Sequence, residues 1–183
     1  MTGEPGHTAA LQLRNIRKHF GAVRAVDGVP IDVPEGELHG LLGENGAGKS
    51  TLMKILSGFI EADAGEVVLH GKPVALHSPD DAIAAGIGML HQDPLVFLPV
   101  SVLDNFLLGA PGAGRLSRQE GERAWREAAD RYGFTFDPKA LAQTLTVGER
   151  QQLENARLLW LGARVLILDE PTTGISASQR EKL

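Results

Sequence analysis

A chain of 183 residues with 43% hydrophobic and 22% charged residues has room for one core, or one core with an appended subdomain, and without cysteine it can hold neither a disulfide nor a thiolate metal site. Eighteen Lys and Arg against 23 Asp and Glu leave a formal net charge of −5, which offers no electrostatic footprint for nucleic acid. No apolar run approaches the roughly 20 residues that span a bilayer, and the opening MTGEPGHTAALQLRNI lacks a basic segment followed by an apolar one, so neither a membrane helix nor a signal peptide is expected.

The 22 glycines and 10 prolines cut the chain into short elements. Residues 1–10 are expected to be disordered. LQLRNI, Leu11–Ile16, alternates apolar and polar side chains and predicts a half-buried strand. LHGLL, Leu38–Leu42, is a short apolar run ending at a glycine, the pattern of a buried central strand. In KSTLMKILSG, Leu52, Ile55 and Leu56 fall on one helical stripe and Gly58 stops the helix. EVVLHGKPV reads as strand, turn, strand, SPDDAIAAG as a short helix, and IGML, Ile87–Leu90, as another buried strand.

From Ser101 the texture becomes helical. SVLDNFLLG has Ser101 as its cap and Asp104 in its first turn. After the linker APGAGRL, Ser117 and Glu120 form a capping box, and Gly133 ends the helix they begin. LTVGERQQLENARLLWLG is a further helix and leads into RVLILDE, Arg164–Glu170, an apolar strand ending in two acids. The alternation predicts an α/β fold with a parallel sheet, into which helices from about Ser101 to Gln143 are inserted.

GENGAGKST matches G-x-x-x-x-G-K-S/T, with Gly43, Gly48, Lys49 and Ser50 in the required places. Glu44, Asn45, Gly46 and Ala47 complete the loop, and Thr51 follows it. Glycines let backbone N–H groups turn inward onto phosphate oxygens, and the helix that starts near Lys49 adds its positive end. Lys49 would reach the outer phosphates and Ser50 would ligate Mg²⁺. A chance match in a glycine-rich chain is the competing explanation; a buried strand before the loop and an amphipathic helix after it argue against chance. VLILDE supplies the second half of such a site. Asp169 would hold Mg²⁺, and Glu170 would polarise the water that attacks the γ-phosphate. Two acids facing solvent at a strand end would be the plainer explanation without a P-loop.

TLTVGERQQ, residues 144–152, supports two readings: a helix start in which Thr146 and Glu149 form a capping box, and half of a nucleotide site that closes on ATP held by a second molecule.

With these motifs in order, the chain from LQLRNIRKHFGAVRAVDGV to LDEPTTG resembles the ATP-binding subunit of an ABC transporter. The resemblance implies a P-loop NTPase core with a mixed or parallel sheet, an N-terminal antiparallel β subdomain, and an α-helical subdomain at about 101–157. Together they would form one ATP-binding domain over residues 11–183. It gives Phe20, in KHFGAV, the role of stacking on adenine; otherwise Phe20 would read as a core residue. It makes Gln92, in MLHQDPLVF, the glutamine that touches Mg²⁺ and the attacking water and signals to membrane subunits. Thr146, Val147, Gly148 and Glu149 stand where the family's signature faces a partner's γ-phosphate.

Val147 and Glu149 depart from the signature pattern. A carboxylate there opposes a triphosphate unless it folds back onto Thr146. Variants with V-G after the hydroxyl residue resemble those of simple-sugar and nucleoside importers. Ser176 stands where the family usually has an aspartate. Family members also continue to a histidine on the γ-phosphate, and His7, His19, His39, His70, His77 and His91 all lie too early for that role. The resemblance therefore implies a chain lacking the C-terminal part of the domain and nearly inactive alone, with the first half of a tandem polypeptide as one reading.

The implied function is ATP hydrolysis that energises an importer for a simple sugar or nucleoside, with ATP and Mg²⁺ bound. The implied place is peripheral, on the cytoplasmic face of the plasma membrane. The implied partners are membrane-spanning subunits, a second ATP-binding domain (homodimer or tandem half) and, indirectly, a solute-binding protein, but no nucleic acid. DPLVFLPVSVLDN resembles the surface that receives a coupling helix. A degenerate module that binds ATP and dimerises without efficient hydrolysis is the alternative, favoured by the altered signature and opposed by Lys49, Asp169 and Glu170. A soluble relative acting on translation or DNA is opposed by the acidic balance.

Overall fold

The computed structural model describes residues 9–109 and 117–169. The chain divides into two compact units, Met1–Ile87 and Gly88–Leu183.

The first unit is built on a four-stranded antiparallel sheet in the order β2-β1-β3-β4. β1 runs Ala9–Phe20, longer at both ends than the alternation of LQLRNI predicts, and β2 runs Val23–Pro34 beside it. Leu11 and Leu13 are buried by strict alternation, which would next bury Asn15. Instead the β1 register slips between Leu13 and Ile16, Asn15 adopts φ 53°, and Ile16 takes the buried place. A bulge re-aims the strand, and Asn is among the few non-glycine residues that tolerate that conformation. β2 was not legible as a strand because Gly28 and Pro30 interrupt it; at the sheet edge a missing N–H is tolerated. β3, Ala64–Leu69, and β4, Lys72–Val74, are joined by His70 and Gly71, both at positive φ, the turn that matches the strands' twist.

Leu38–Leu42 does not form the expected central strand. The segment has no strand pairing, and Leu38 and Leu42 are 95% and 92% exposed. An apolar run creates a preference for burial but carries no ladder partner with it. Neither described sheet offers one to this segment, and its flanking glycines raise the entropy of ordering it.

α1, Lys49–Leu56, buries Leu52, Ile55 and Leu56 as the stripe predicts. Gly58 follows at φ 73°, and a Cβ there would stand 2.1 Å from Ser78 O, so no other residue fits. α2, Pro79–Ala85, starts with Ser78 accepting the Asp81 N–H and ends at Gly86 in the left-handed conformation.

In the second unit, β5 (Ile87–Leu90, entered from the first unit) pairs with β6, Val165–Leu168. The Asp169 N–H donates to Leu90 O at 3.1 Å. The C-terminal ends of both strands therefore meet, which makes the pair parallel with the helices as its crossover. α3 (Val102–Leu107), α4 (Arg118–Tyr132) and α5 (Val147–Trp160) are capped by Ser101, Ser117 and Thr146 respectively. They pack on fully buried Phe106, whose ring meets Trp125 edge-on at 5.3 Å and Trp160 at 4.6 Å. Burying that ring contributes about 2–3 kcal/mol, and each aromatic contact about 1 more. No helix among the described residues is long and apolar enough to cross a membrane.

Candidate functional site

The first unit carries the candidate phosphate loop, residues 43–51. Gly46 and Gly48 sit at φ 85° and 87°, and the Ala47 N–H donates to Glu44 O at 3.1 Å, closing a tight turn ahead of α1. Gly48 is required twice over: its φ suits glycine, and a Cβ would lie 2.1 Å from Ala25 O of β2. No side chain caps the N-terminus of α1 and no acid lies in its first turn, an arrangement that leaves the positive end of the helix without a counter-charge of its own. Lys49 Nζ donates to Gly43 O (2.7 Å) and Glu44 O (2.9 Å), so the loop's own carbonyls hold it over the turn. Glu44, Asn45, Gly46, Ala47 and Ser50 are exposed, and Thr51 is half-buried.

Phe20 is 52% exposed, which excludes the core reading. It pairs across the hairpin with Val23, and Lys18 Nζ lies 5.7 Å from its ring centroid. Val23, the partner of Phe20 on β2, lies two residues, about 7 Å along the strand, from Ala25, against whose carbonyl Gly48 packs. Lys18 and the His19 N–H both bond to Asp63 at 2.7 Å, pulling the Asp63 carboxyl below its ordinary range and anchoring this end of β1.

The second unit carries the other candidates. Asp169 follows β6 directly and is tied through its N–H to Leu90. His91, next along, is made harder to protonate by burial, an effect the Asp169 charge opposes. Gln92 is exposed just beyond. Glu170 and Ser176 lie outside the described residues.

At the start of α5 both readings of TLTVGERQQ meet. Thr146 is the cap, Gly148 is buried and Val147 is 45% exposed. Glu149 folds back: Oε2 accepts the Thr146 N–H (2.7 Å) and hydroxyl (2.8 Å), and its own N–H donates to Thr146 Oγ1 (3.3 Å).

Among the buried polar residues that escaped the sequence reading, two hold backbone from another part of the chain. Asn105 on α3 and Glu154 on α5 are each 1% exposed and bond to the backbone of the segment after Gln92. A polar residue inside an apolar helical stripe, such as Glu154 beside Leu153 and Ala156, was the available signal.

Comparison with known proteins places this geometry in context. The family model described as ABC transporter matches residues 26–173. The ribose import ATP-binding protein RbsA 2 of Escherichia coli O157:H7 is 41% identical over 178 residues, covering 96% of this chain and 35% of that protein. The arabinose import ATP-binding protein AraG 1 of Burkholderia cenocepacia is 45% identical over 179 residues, with the same coverage. The chain thus spans about a third of the length of these curated relatives. Among solved structures, a nucleotide-free ATP-binding cassette from an ABC transporter aligns with a TM-score of 0.81 and 27% identity over 95% of this chain and 74% of that one. The cbiO1 protein of Clostridium perfringens, part of the ABC transporter complex cbiONQ, aligns at 0.79 with 26% identity over 96% and 70%.

Proposed function

The chain belongs to the ABC transporter family, and from that premise we propose that it is the ATP-binding and hydrolysing part of a subunit that energises import of a simple sugar, a pentose by the names of its relatives. The observation that carries the reading is the open N-terminus of α1, with positive-φ glycines before it and Lys49 held above the turn, a cradle shaped for phosphate and left without a side-chain cap.

Each residue then has a role. Phe20 supports adenine. The Gly43–Thr51 loop and Lys49 hold the phosphates. Ser50, Asp169 and Gln92 are all oxygen donors, the chemistry a hard cation takes, and would hold Mg²⁺, which neutralises phosphate charge when bound. Glu170 accepts a proton from the attacking water. Thr146 and Gly148 face ATP on a second such domain. Partners are that second domain and membrane-spanning subunits, with a solute-binding protein acting indirectly, and the subunit lies peripherally on the cytoplasmic face of the membrane. Exposed Leu95, Phe97 and Leu98 support this, as apolar side chains available to a membrane subunit.

One observation favours the second reading, a module that binds ATP without efficient hydrolysis: Glu149 occupies the donors of Thr146. Steady-state hydrolysis of MgATP by the full-length protein separates the two. Uptake of labelled ribose and arabinose, in cells with and without the gene, tests the substrate class. Loss of neither uptake on deletion refutes pentose import, and hydrolysis no faster than that of Lys49→Ala refutes the ATPase.

A further inference from the structure

Gln92 stands on a short span whose two ends are bonded to different parts of the second unit. Upstream, Leu90 O accepts the Asp169 N–H at 3.1 Å. Downstream, the Leu95 N–H donates to Glu154 Oε2 at 3.2 Å. Glu154 belongs to α5, the helix that Thr146 begins, so the span joins the strand end carrying Asp169 to the helix carrying the signature.

Glu154 is a costly residue for a plain packing role. Its side chain is 1% exposed among buried Leu153, Ala156 and Leu158, and burying a carboxylate there is unfavourable unless partners offset it. Its partners are Arg157 Nη2 at 3.5 Å, from the same helix, and the Leu95 N–H. The ion pair by itself would only offset the burial; the amide bond reaches another part of the chain. Beyond Leu95 the segment is gripped again. Asn105 Oδ1 accepts the Phe97 N–H at 2.8 Å, and Asn105 Nδ2 donates to Phe97 O (3.0 Å), Val100 O (3.3 Å) and Ser101 O (3.0 Å). The backbone is held from below by two buried polar side chains while Leu95, Phe97 and Leu98 stay exposed.

We propose that Glu154 is a positioning residue for Gln92: through the Leu95 amide it ties the segment bearing Gln92 to α5, so that displacement of the signature helix is passed to that glutamine. The inference rests on the reading that the protein hydrolyses ATP.

The test uses the full-length protein and MgATP. Glu154→Leu fills the site and leaves the Leu95 N–H without its acceptor; it should lower kcat about tenfold with KM changed less than about twofold. Glu154→Gln keeps an acceptor for Leu95 and should stay within about threefold of wild type. In a Gln92→Ala background, Glu154→Leu should cost nothing further, since it acts through Gln92. Multiplicative losses in the double variant, or a Gln variant as poor as the Leu variant, overturn the proposal. Hydrogen exchange of the wild type decides the matter even if Glu154→Leu fails to fold: the Leu95 amide should exchange ~10² or more slower than a free amide, and fast exchange there overturns the link. Should Lys49→Ala hydrolyse as fast as wild type, the ATPase reading falls, while hydrogen exchange still judges the bond.

Discussion

The Glu149 carboxylate accepts both the N–H and the hydroxyl of Thr146, at 2.7 and 2.8 Å. The N–H and hydroxyl of the residue that caps α5 are thereby engaged within the chain, and on the proposed reading a partner's γ-phosphate would meet an anion already in place. Glu149→Gln keeps the capping pattern, since either residue suits the third helical position, but removes the charge. Hydrolysis by the full-length protein should be undiminished and rise by up to ~10-fold, the size of one weakened charge-assisted bond. A large loss with the fold intact would mean that the carboxylate contributes positively.

Among the described residues Lys49 bonds to carbonyls of its own loop, at 2.7 and 2.9 Å, and on the proposed reading it would exchange them for phosphate oxygens. Lys49→Ala should weaken ATP binding by about 10²-fold, the scale of lost bonds to a charged partner. Titration with a fluorescent ATP analogue measures this, and unchanged affinity would place the nucleotide elsewhere.

Glu170 follows Asp169, whose N–H is bonded to Leu90. If Glu170 is the proposed general base, its replacement by Gln should preserve ATP binding and lower turnover by roughly 10² or more in the full-length protein. Turnover near wild type would leave Glu170 as a strand-end acid only.

Burial raises the pKa of Glu154 from 4.5 to about 7, against the opposing effects of Arg157 and the Leu95 amide. Between those values the folded state holds a proton that the unfolded chain has released, so the contribution of this one group to stability is fully present below about pH 4.5 and is lost as pH rises through about 7. The loss is on the order of 3 kcal/mol, at 1.36 kcal/mol per unit. Denaturant midpoints of wild type and Glu154→Gln, compared from pH 5 to 8, should show this slope in the wild type alone. Parallel curves would refute it.

Local chemistry made much of this protein legible in its residues. Caps at Ser101, Ser117 and Thr146, the stripe of α1, the glycines of the candidate phosphate loop and the fold-back of Glu149 each depend on neighbours within a few positions, so pattern alone determined them. Pairing across distance was not legible. The bulge at Asn15 that buries Ile16, the exposure of Leu38–Leu42 and the edge strand β2 depend on which strand lies alongside, and no local pattern names that partner. The bond from Leu95 to Glu154 is the clearest case. A glutamate inside an apolar helical stripe marks Glu154 but does not name the leucine it bonds, and only packing that excludes water makes their hydrogen bond matter.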